Sequence, residues 1–401
     1  MINFAPPRID EKTIEAVAET LRSGWITTGP KTKLLEKKIS EYCGIQQTLC
    51  LNSATAGLEL ALRWFGVGPG DEVIVPAYTY AATANVVIHC GATPVLADVN
   101  NSDFCISLSA IEKAITSRTK VIMPVDFGGL PCDYDAINAL VEKVKNKFIA
   151  TKPNQEKLGR ILVLSDAAHS MGATYKGKTA GILTDISVFS FHAVKNLTTA
   201  EGGAMLFNLP SQFDNATIYK ELSILSLHGQ TKDAMAKMQK GNWKYDIVEA
   251  GYKCNMTDLA ATIGLIELER YKDDTLLKRK SIIEGYDAFF SKCKWAEMPV
   301  SKDINRESSY HLFALRIKNI TEQQRDTIIQ KIFDRDVAVN VHFIPIPMMS
   351  FYKNLGYKMS DYPVTYDNFS REISLPVYYD LTEEQVGIVC KAVQDSVEEV
   401  I

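Results

Sequence analysis

Residues 189–205, FSFHAVKNLTTAEGGAM, place a lysine in surroundings that an ordinary surface lysine does not need. Lys195 follows Ser190 and His192, and Thr198, Thr199, Glu201, Gly202 and Gly203 come after it. Small residues let the chain pack closely around the amine. Packing strips water from an ammonium and lowers its pKa towards the reactive free amine. A lysine that forms a Schiff base with a carbonyl needs that preparation. The apolar run ISVFSF lies directly upstream, and the strand it implies ends near Ser190. What the stretch says about the fold depends on whether other strands end in the same way.

They do. TLCLN (48–52) runs into Ser53, Ala54 and Thr55; EVIVP (72–76) runs into Tyr78 and Tyr80; ILVLS (161–165) runs into Asp166, then His169 and Ser170. TPVLADV and KVIMPVDF add further apolar runs. Between them lie the helical patterns ATAGLELALRWFG, TYAATANVVIHCGA, SLSAIEKAIT and DYDAINALVEKVKNKF, after two N-terminal helices that stop at Gly24 and Gly44. Apolar runs without alternation, separated by helices, indicate a mostly parallel sheet buried on both faces. The fold class is therefore α/β. Such sheets bind ligands at the carboxyl ends of their strands, where these polar residues fall.

From about Thr257 the texture changes. TDLAATIGLIELERYKDDTLLKRKSIIEGYDAFFSK reads as one long helical pattern, followed by YHLFALRI (strand), TEQQRDTIIQKIF (helix), DVAVNVHFIPIP (strand) and a last helix over TEEQVGIVCKAVQDSVEEV. The expected division is a large unit over 1–256 and a connecting helix with a smaller α/β unit over 257–401. KNKFIATKPNQEKLG, polar and proline-containing, reads as a surface excursion.

Composition narrows the function classes. The chain has 401 residues, 46% hydrophobic and 23% charged, the balance of a globular protein. A net charge of −4 gives no general attraction to nucleic acid or to anionic membranes. No run reaches the length of a membrane span, and MINFAPPRIDEKT lacks the apolar core of a signal peptide, so a cytoplasmic protein is expected. The eight cysteines show no CxxC spacing and several sit in apolar runs; they read as reduced core thiols, and no metal is expected.

Each strand-end residue has an ordinary reading. Ser53 or Thr55 caps a helix, Tyr78 and Tyr80 are core tyrosines, and Asp166 caps a helix. Together they describe one ligand: a planar ring with a phosphate at one end, a basic nitrogen at the other and a carbonyl for the lysine. Pyridoxal phosphate fits. Asp166 would keep the ring nitrogen protonated, Tyr80 would cover a ring face, Ala54, Thr55 and Ser190 would hold the phosphate, and Lys195 would take the carbonyl.

On these residues, and on the further segments SGWITTGPKTKLLEKKISEYCG, SDAAHSMGATYKGKTAG and GYKCNMTDLAATIGLIELER, the chain resembles the DegT/DnrJ/EryC1/StrS family of sugar aminotransferases. The likeness runs from near residue 22 to near 378. It implies the type I fold of pyridoxal-phosphate enzymes, with a sheet of the seven-stranded type. It implies transfer of an amino group from an amino acid, usually glutamate, to a nucleotide-linked keto sugar; GYKCNMTD favours UDP-linked 4-keto sugars. It places His169 beside the cofactor ring near its hydroxyl. It also implies a homodimer with active sites at the subunit interface, where Asn255 would reach the partner's cofactor phosphate. The loop SGWITTGPK and the segment HFIPIP would form the acceptor mouth, with Lys31, Lys33 and Lys253 as candidate cations. Pro347 stands where the family often has a histidine. Alternatives are a dTDP-3-keto sugar or aminocyclitol acceptor, or a cofactor-binding regulatory protein without turnover.

Overall fold

The computed structural model describes residues 1–233, 235 and 243–401. Seven strands form the central sheet: β1 (Thr48–Leu51), β2 (Glu72–Pro76), β3 (Thr93–Ala97), β4 (Thr119–Ile122), β5 (Leu162–Asp166), β6 (Ile186–Ser190) and β7 (Gly203–Phe207). Their order is β1-β7-β6-β5-β4-β2-β3. The pairs β6–β5, β5–β4, β4–β2 and β2–β3 are parallel, whereas β7 runs antiparallel to both β1 and β6. Nearly all of these strand residues are buried, as the unbroken apolar runs require. The α/β fold with a mostly parallel seven-stranded sheet is the one the sequence implied.

β7 was not legible, because GAMLF is short and hidden behind the lysine motif. Glycine makes its position possible. A Cβ on Gly203 would lie 2.5 Å from the backbone N of Ala54, so only glycine lets β7 pass the start of the helix that opens at Ala54.

Helices cover both faces of the sheet: α1 (Glu11–Arg22), α2 (Pro30–Cys43), α3 (Ala54–Trp64), α4 (Ala81–His89), α5 (Leu108–Ala114), α6 (Tyr134–Lys143), α7 (Pro153–Leu158) and α8 (Asn215–Leu225). Ser53 caps α3 by accepting from the Ala56 N–H at 3.1 Å. α2 starts on Pro30 and ends at Gly44, whose φ of 70° supplies the left-handed residue of a helix stop.

The long C-terminal helical pattern is two helices, α9 (Asp258–Arg270) and α10 (Leu276–Phe290), joined without a break by a π-turn over Tyr271–Thr275. Beyond them β8 (Ala296–Glu297), β9 (Phe313–Ile317) and β10 (Glu372–Leu375) form an antiparallel sheet. The helices α11 (Glu322–Phe333) and α12 (Glu383–Glu398) pack with it, and both carry capping boxes. Their core draws on residues 282–397 and also on Ile2, which bridges to Val337.

Two local readings differ from the structure. DVAVNVHFIPIP is not a strand: it makes single bridges at Val337 and Asn340, then runs irregularly into a short 3₁₀ turn at Ile346–Met348. Pro345 and Pro347 lack the N–H a ladder needs, and the stretch instead turns side chains into the site. KNKFIATKPNQEKLG is also more than an excursion. It contains α7, and Gln155 is fully buried, donating to the Phe65 carbonyl and accepting from Thr151. The polar residues that suggested a loop are there to satisfy buried backbone groups.

Candidate active site

The carboxyl ends of β1, β2, β5 and β6 open into a cavity of about 560 Å³. Its walls include Ser53, Ala54, Thr55, Tyr80, Asp166, His169, Ser190 and Lys195. Seven of the eight site residues named from the sequence therefore share one cavity. Asn255 is the eighth and lies elsewhere.

Lys195 follows a tight turn in which its N–H donates to the His192 carbonyl at 2.9 Å. Desolvation pushes its ammonium down to about 8, and the charge of Asp166 opposes that shift. Among the described residues no hydrogen bond or ion pair engages Nζ, so the amine is available to a ligand in the cavity.

Asp166 ends β5 and is buried. Its carboxylate accepts from Thr83 Oγ1 at 2.8 Å and from the Ala168 N–H at 3.3 Å. Thr83 is in turn bonded to Thr79 at 2.8 Å. Burial raises the pKa, while the Thr83 and Ala168 bonds and the Lys195 charge lower it. No helix follows Asp166, so the cap reading fails; among the described residues no cation pairs with it. A buried carboxylate without a cation is costly, and a protonated ring nitrogen would repay that cost. The cavity fits pyridoxal phosphate on this count, and on the free amine of Lys195 opposite it.

The two tyrosines separate. Tyr78 is fully buried, as the core reading has it. Tyr80 is 65% exposed and lines the cavity, 5.9 Å from the ring of Phe343. Ser190 pairs with Gly203, which lies against the capped start of α3, so Ser190 and Ala54 line the cavity from adjoining backbone.

His169 is buried, and its Nδ1 accepts from the Gly128 N–H at 3.3 Å. Its ring lies 4.3 Å from that of His311, whose Nδ1 meets Asn196 Oδ1 at 2.7 Å. Burial, followed by neighbouring charge, holds both imidazoles well below their usual pKa, so both are neutral. His342 and Phe343 open the HFIPIP segment that the resemblance placed at the acceptor mouth, and they line the cavity. His311 and Thr83 were not singled out in the sequence: no strand-end signal points to His311, and Thr83 looks like any residue in the first turn of a helix.

Asn255 is half-buried outside the cavity. Its Nδ2 donates to Thr28 Oγ1 at 2.5 Å, and its Oδ1 accepts from Lys253 Nζ at 2.6 Å. The loop over residues 23–31 thus sits with Asn255 and does not line this chain's own cavity. Lys33 is committed elsewhere, to Glu36 at 3.1 Å and Tyr219 at 2.6 Å. Phe4 and Ala5 line the mouth instead.

Comparison with known proteins agrees with this geometry. The sequence profile described as the DegT/DnrJ/EryC1/StrS aminotransferase family matches residues 7–394. The chain is 36% identical over 400 residues to the spore coat polysaccharide biosynthesis protein SpsC of Bacillus subtilis (strain 168), covering 98% of this chain and 96% of that one. Among solved structures, the candidate sugar aminotransferase Spr1654 from Streptococcus pneumoniae superposes in its PMP form with a TM-score of 0.97 at 48% identity, over 100% of both chains. Its PLP form gives 0.95 at 46% identity, over 100% of this chain and 99% of that one. Helicobacter pylori PseC, an aminotransferase involved in the biosynthesis of pseudoaminic acid, gives 0.87 at 27% identity over 99% of both chains. No helix among the described residues is long and apolar enough to cross a membrane.

Proposed function

Because the chain belongs to the DegT/DnrJ/EryC1/StrS aminotransferase family and is a pyridoxal-phosphate-dependent sugar aminotransferase, we propose that it moves the amino group of L-glutamate to a UDP-linked 4-keto-6-deoxyhexose. The observation that carries the residue assignments is the pairing, within one cavity, of a Lys195 amine and a buried Asp166 that have no hydrogen-bonded ion partner among the described residues.

When bound, pyridoxal phosphate supplies an electron-accepting ring and the carbonyl that takes up and passes on the amino group. Lys195 would hold it covalently, and Asp166 would face its ring nitrogen. Ser190 and the free N–H groups at the start of α3, at Ala54 and Thr55, would take its phosphate. Tyr80 and His169 would bound the ring. Once displaced, Lys195 Nζ, with its pKa brought to about 8, can take a proton and return it near neutral pH. Phe4, Val341, Phe343 and Val377 give the cavity apolar lining beside that exchange.

Charge supports a second copy at the site. Among the described residues, Lys195 is the sole lysine that lines the cavity, and no arginine lines it. The cofactor phosphate together with either glutamate or the acceptor diphosphate, which bind in turn, brings more negative charge than one lysine balances. We infer that a homodimer supplies the rest, with Asn255 and the 23–31 loop of one subunit reaching the cavity of the other. The exposed Trp243, Tyr245, Ile247 and Val248 offer apolar surface for such an interface. Residues 1–256 and 257–401 are proposed as its two units, the large one holding the cofactor.

The acceptor is tested by kinetics. With L-glutamate as donor, kcat/KM is compared for UDP-4-keto, dTDP-4-keto and dTDP-3-keto sugars against pyruvate and oxaloacetate. The UDP-4-keto sugar should be favoured. A keto acid better by a wide margin would overturn the acceptor and leave the cofactor assignment standing.

A further inference from the structure

One wall of the cavity is formed by His342, and behind it lies a buried chain of hydrogen bonds that the transfer chemistry above does not use. His342 Nδ1 is 2.9 Å from Ser374 Oγ, and Ser374 Oγ is bonded to Glu372 Oε1. The second carboxyl oxygen, Oε2, accepts from the His342 backbone N–H at 3.0 Å. Glu372 and Ser374 are wholly buried on β10. The loop carrying His342 is clamped to that strand by two backbone bonds between Asn340 and Ser374, of 3.1 and 2.8 Å. Phe4 stacks on the imidazole with ring centroids 5.6 Å apart. Among the described residues nothing engages Nε2, so it is left to the cavity.

A serine hydroxyl has one proton and can give it to one neighbour only. If Glu372 is ionised, Ser374 donates to the carboxylate, His342 must donate from Nδ1, and Nε2 carries a lone pair. If Glu372 is protonated, the carboxyl donates to Ser374, Ser374 donates to Nδ1, and Nε2 carries the hydrogen. Passing from the second state to the first, one proton leaves Nε2, the serine proton moves to Nδ1 and the carboxyl proton moves to Ser374 Oγ. The imidazole is neutral in both states.

We propose that Glu372, acting through Ser374, sets the tautomer of His342, and that the Nε2–H form binds the carbonyl oxygen of the keto-sugar acceptor. The second half rests on the acceptor proposed above. His342 is then a substrate-binding residue, and Glu372 and Ser374 are positioning residues.

The surroundings suit such a chain. Burial pushes the Glu372 carboxyl up to about 8, against the Ser374 and His342 bonds and the charges of Arg325 on α11 and Arg316 on β9. Neither arginine bonds the carboxylate: Arg325 is bonded to the Phe369 and Glu372 carbonyls, and Arg316 pairs with Glu297 at 2.7 Å. The Tyr78 hydroxyl also feels the Glu372 charge. On the cavity side His342 faces Lys195, His169 and His311. Burial and the Lys195 charge hold its own pKa at about 3, so the imidazole does not charge and the carboxyl is the group that titrates.

Glu372→Gln fixes one state. The amide oxygen must face the His342 N–H, so the NH₂ faces Ser374 Oγ and donates to it, as the protonated carboxyl does. The test is nitrogen NMR of the holoenzyme labelled with ¹⁵N-histidine; the chain has six histidines, and His342→Asn identifies the signal. Wild type should pass from Nε2–H to Nδ1–H as pH rises through about 8. Glu372→Gln should keep Nε2–H throughout, and Ser374→Ala should lose the pH response. A wild-type tautomer that does not change, or a Gln variant that follows the wild type, overturns the coupling.

Acceptor kinetics then judge the contact, with L-glutamate and the UDP-4-keto sugar as probes. Above the transition the acceptor kcat/KM of wild type should fall about tenfold further than that of Glu372→Gln, the loss expected when a carbonyl meets a lone pair instead of an N–H. Lys195 is common to both proteins, so the difference isolates Glu372. Superimposable profiles overturn the contact to the carbonyl. If no keto sugar is turned over, the acceptor reading falls, and the NMR result still decides the tautomer coupling.

Discussion

Replacing Asp166 by asparagine should lower activity while leaving stability nearly unchanged. The carboxylate is buried and accepts from Thr83 Oγ1 at 2.8 Å and the Ala168 N–H at 3.3 Å. Asparagine has the same shape. With its oxygen on Ala168 and its NH₂ towards Thr83, Thr83 turns its own proton to Thr79, 2.8 Å away. The network survives, and the removal of a buried charge offsets the loss of its attraction for Lys195, so the cofactor-free variant should melt close to wild type. In the loaded enzyme the same change removes the acceptor of a charge-assisted hydrogen bond from the ring nitrogen. Such bonds are worth about 1.5–3 kcal/mol. At 1.36 kcal/mol for each factor of ten, kcat should fall about tenfold to about two-hundredfold. The assays are thermal melting of the cofactor-free protein and steady-state turnover with the cofactor's visible spectrum recorded alongside. A variant that keeps the spectrum and turns over within about twofold of wild type would refute the assignment of Asp166.

Two further outcomes follow from the same site. Lys195→Ala should lose both turnover and the visible absorbance of the covalently held cofactor; a protein that still transaminates without Lys195 sinks that role. Mixing inactive Lys195→Ala with an inactive Asn255→Ala protein should restore part of the activity, because a hybrid dimer contains one intact site. A fully active monomer would rule out the shared site.

How much of this could be read in advance follows a physical line. Where a residue's role depends on the chain just before it, the sequence displays it. Asp166, Ser190 and Ser53 each end or follow a short apolar run, and a polar group there is out of place unless it caps or binds something. Parallel strands bring such ends together, so naming the strands was nearly the same as naming the cavity. Where a role depends on distant packing, nothing local marks it. Thr83 reaches Asp166 across 83 positions, and Ser309 Oγ bonds the His169 carbonyl across 140. DVAVNVHFIPIP has the β-branched look of a strand, yet its prolines and its task of lining the cavity make it an irregular loop. β7 was missed for another reason: GAMLF is short and follows the lysine motif directly, and the close approach that Gly203 permits is not marked in a run of glycines.

The imidazoles explain why the lysine at the centre stays reactive. His169, His311 and His342 all face Lys195, and its charge helps to depress the pKa of each, after burial. For His311 a second cation contributes. Arg279 is buried with its bonds on the Tyr310 and His311 carbonyls, at 3.0 and 2.8 Å, and no carboxylate pairs with it among the described residues. Desolvation lowers its own pKa to about 10, yet it remains charged at neutral pH. The imidazoles therefore add hydrogen-bonding atoms to the cavity without adding charge. Lys195 is left balanced between two opposed effects, desolvation and the attraction of Asp166. Were the histidines protonated, their repulsion would drive the lysine pKa lower still, and they would compete for the one carboxylate that the ring nitrogen needs. Neutral imidazoles leave Asp166 to the cofactor and keep the amine near the pH at which it can both take and return a proton.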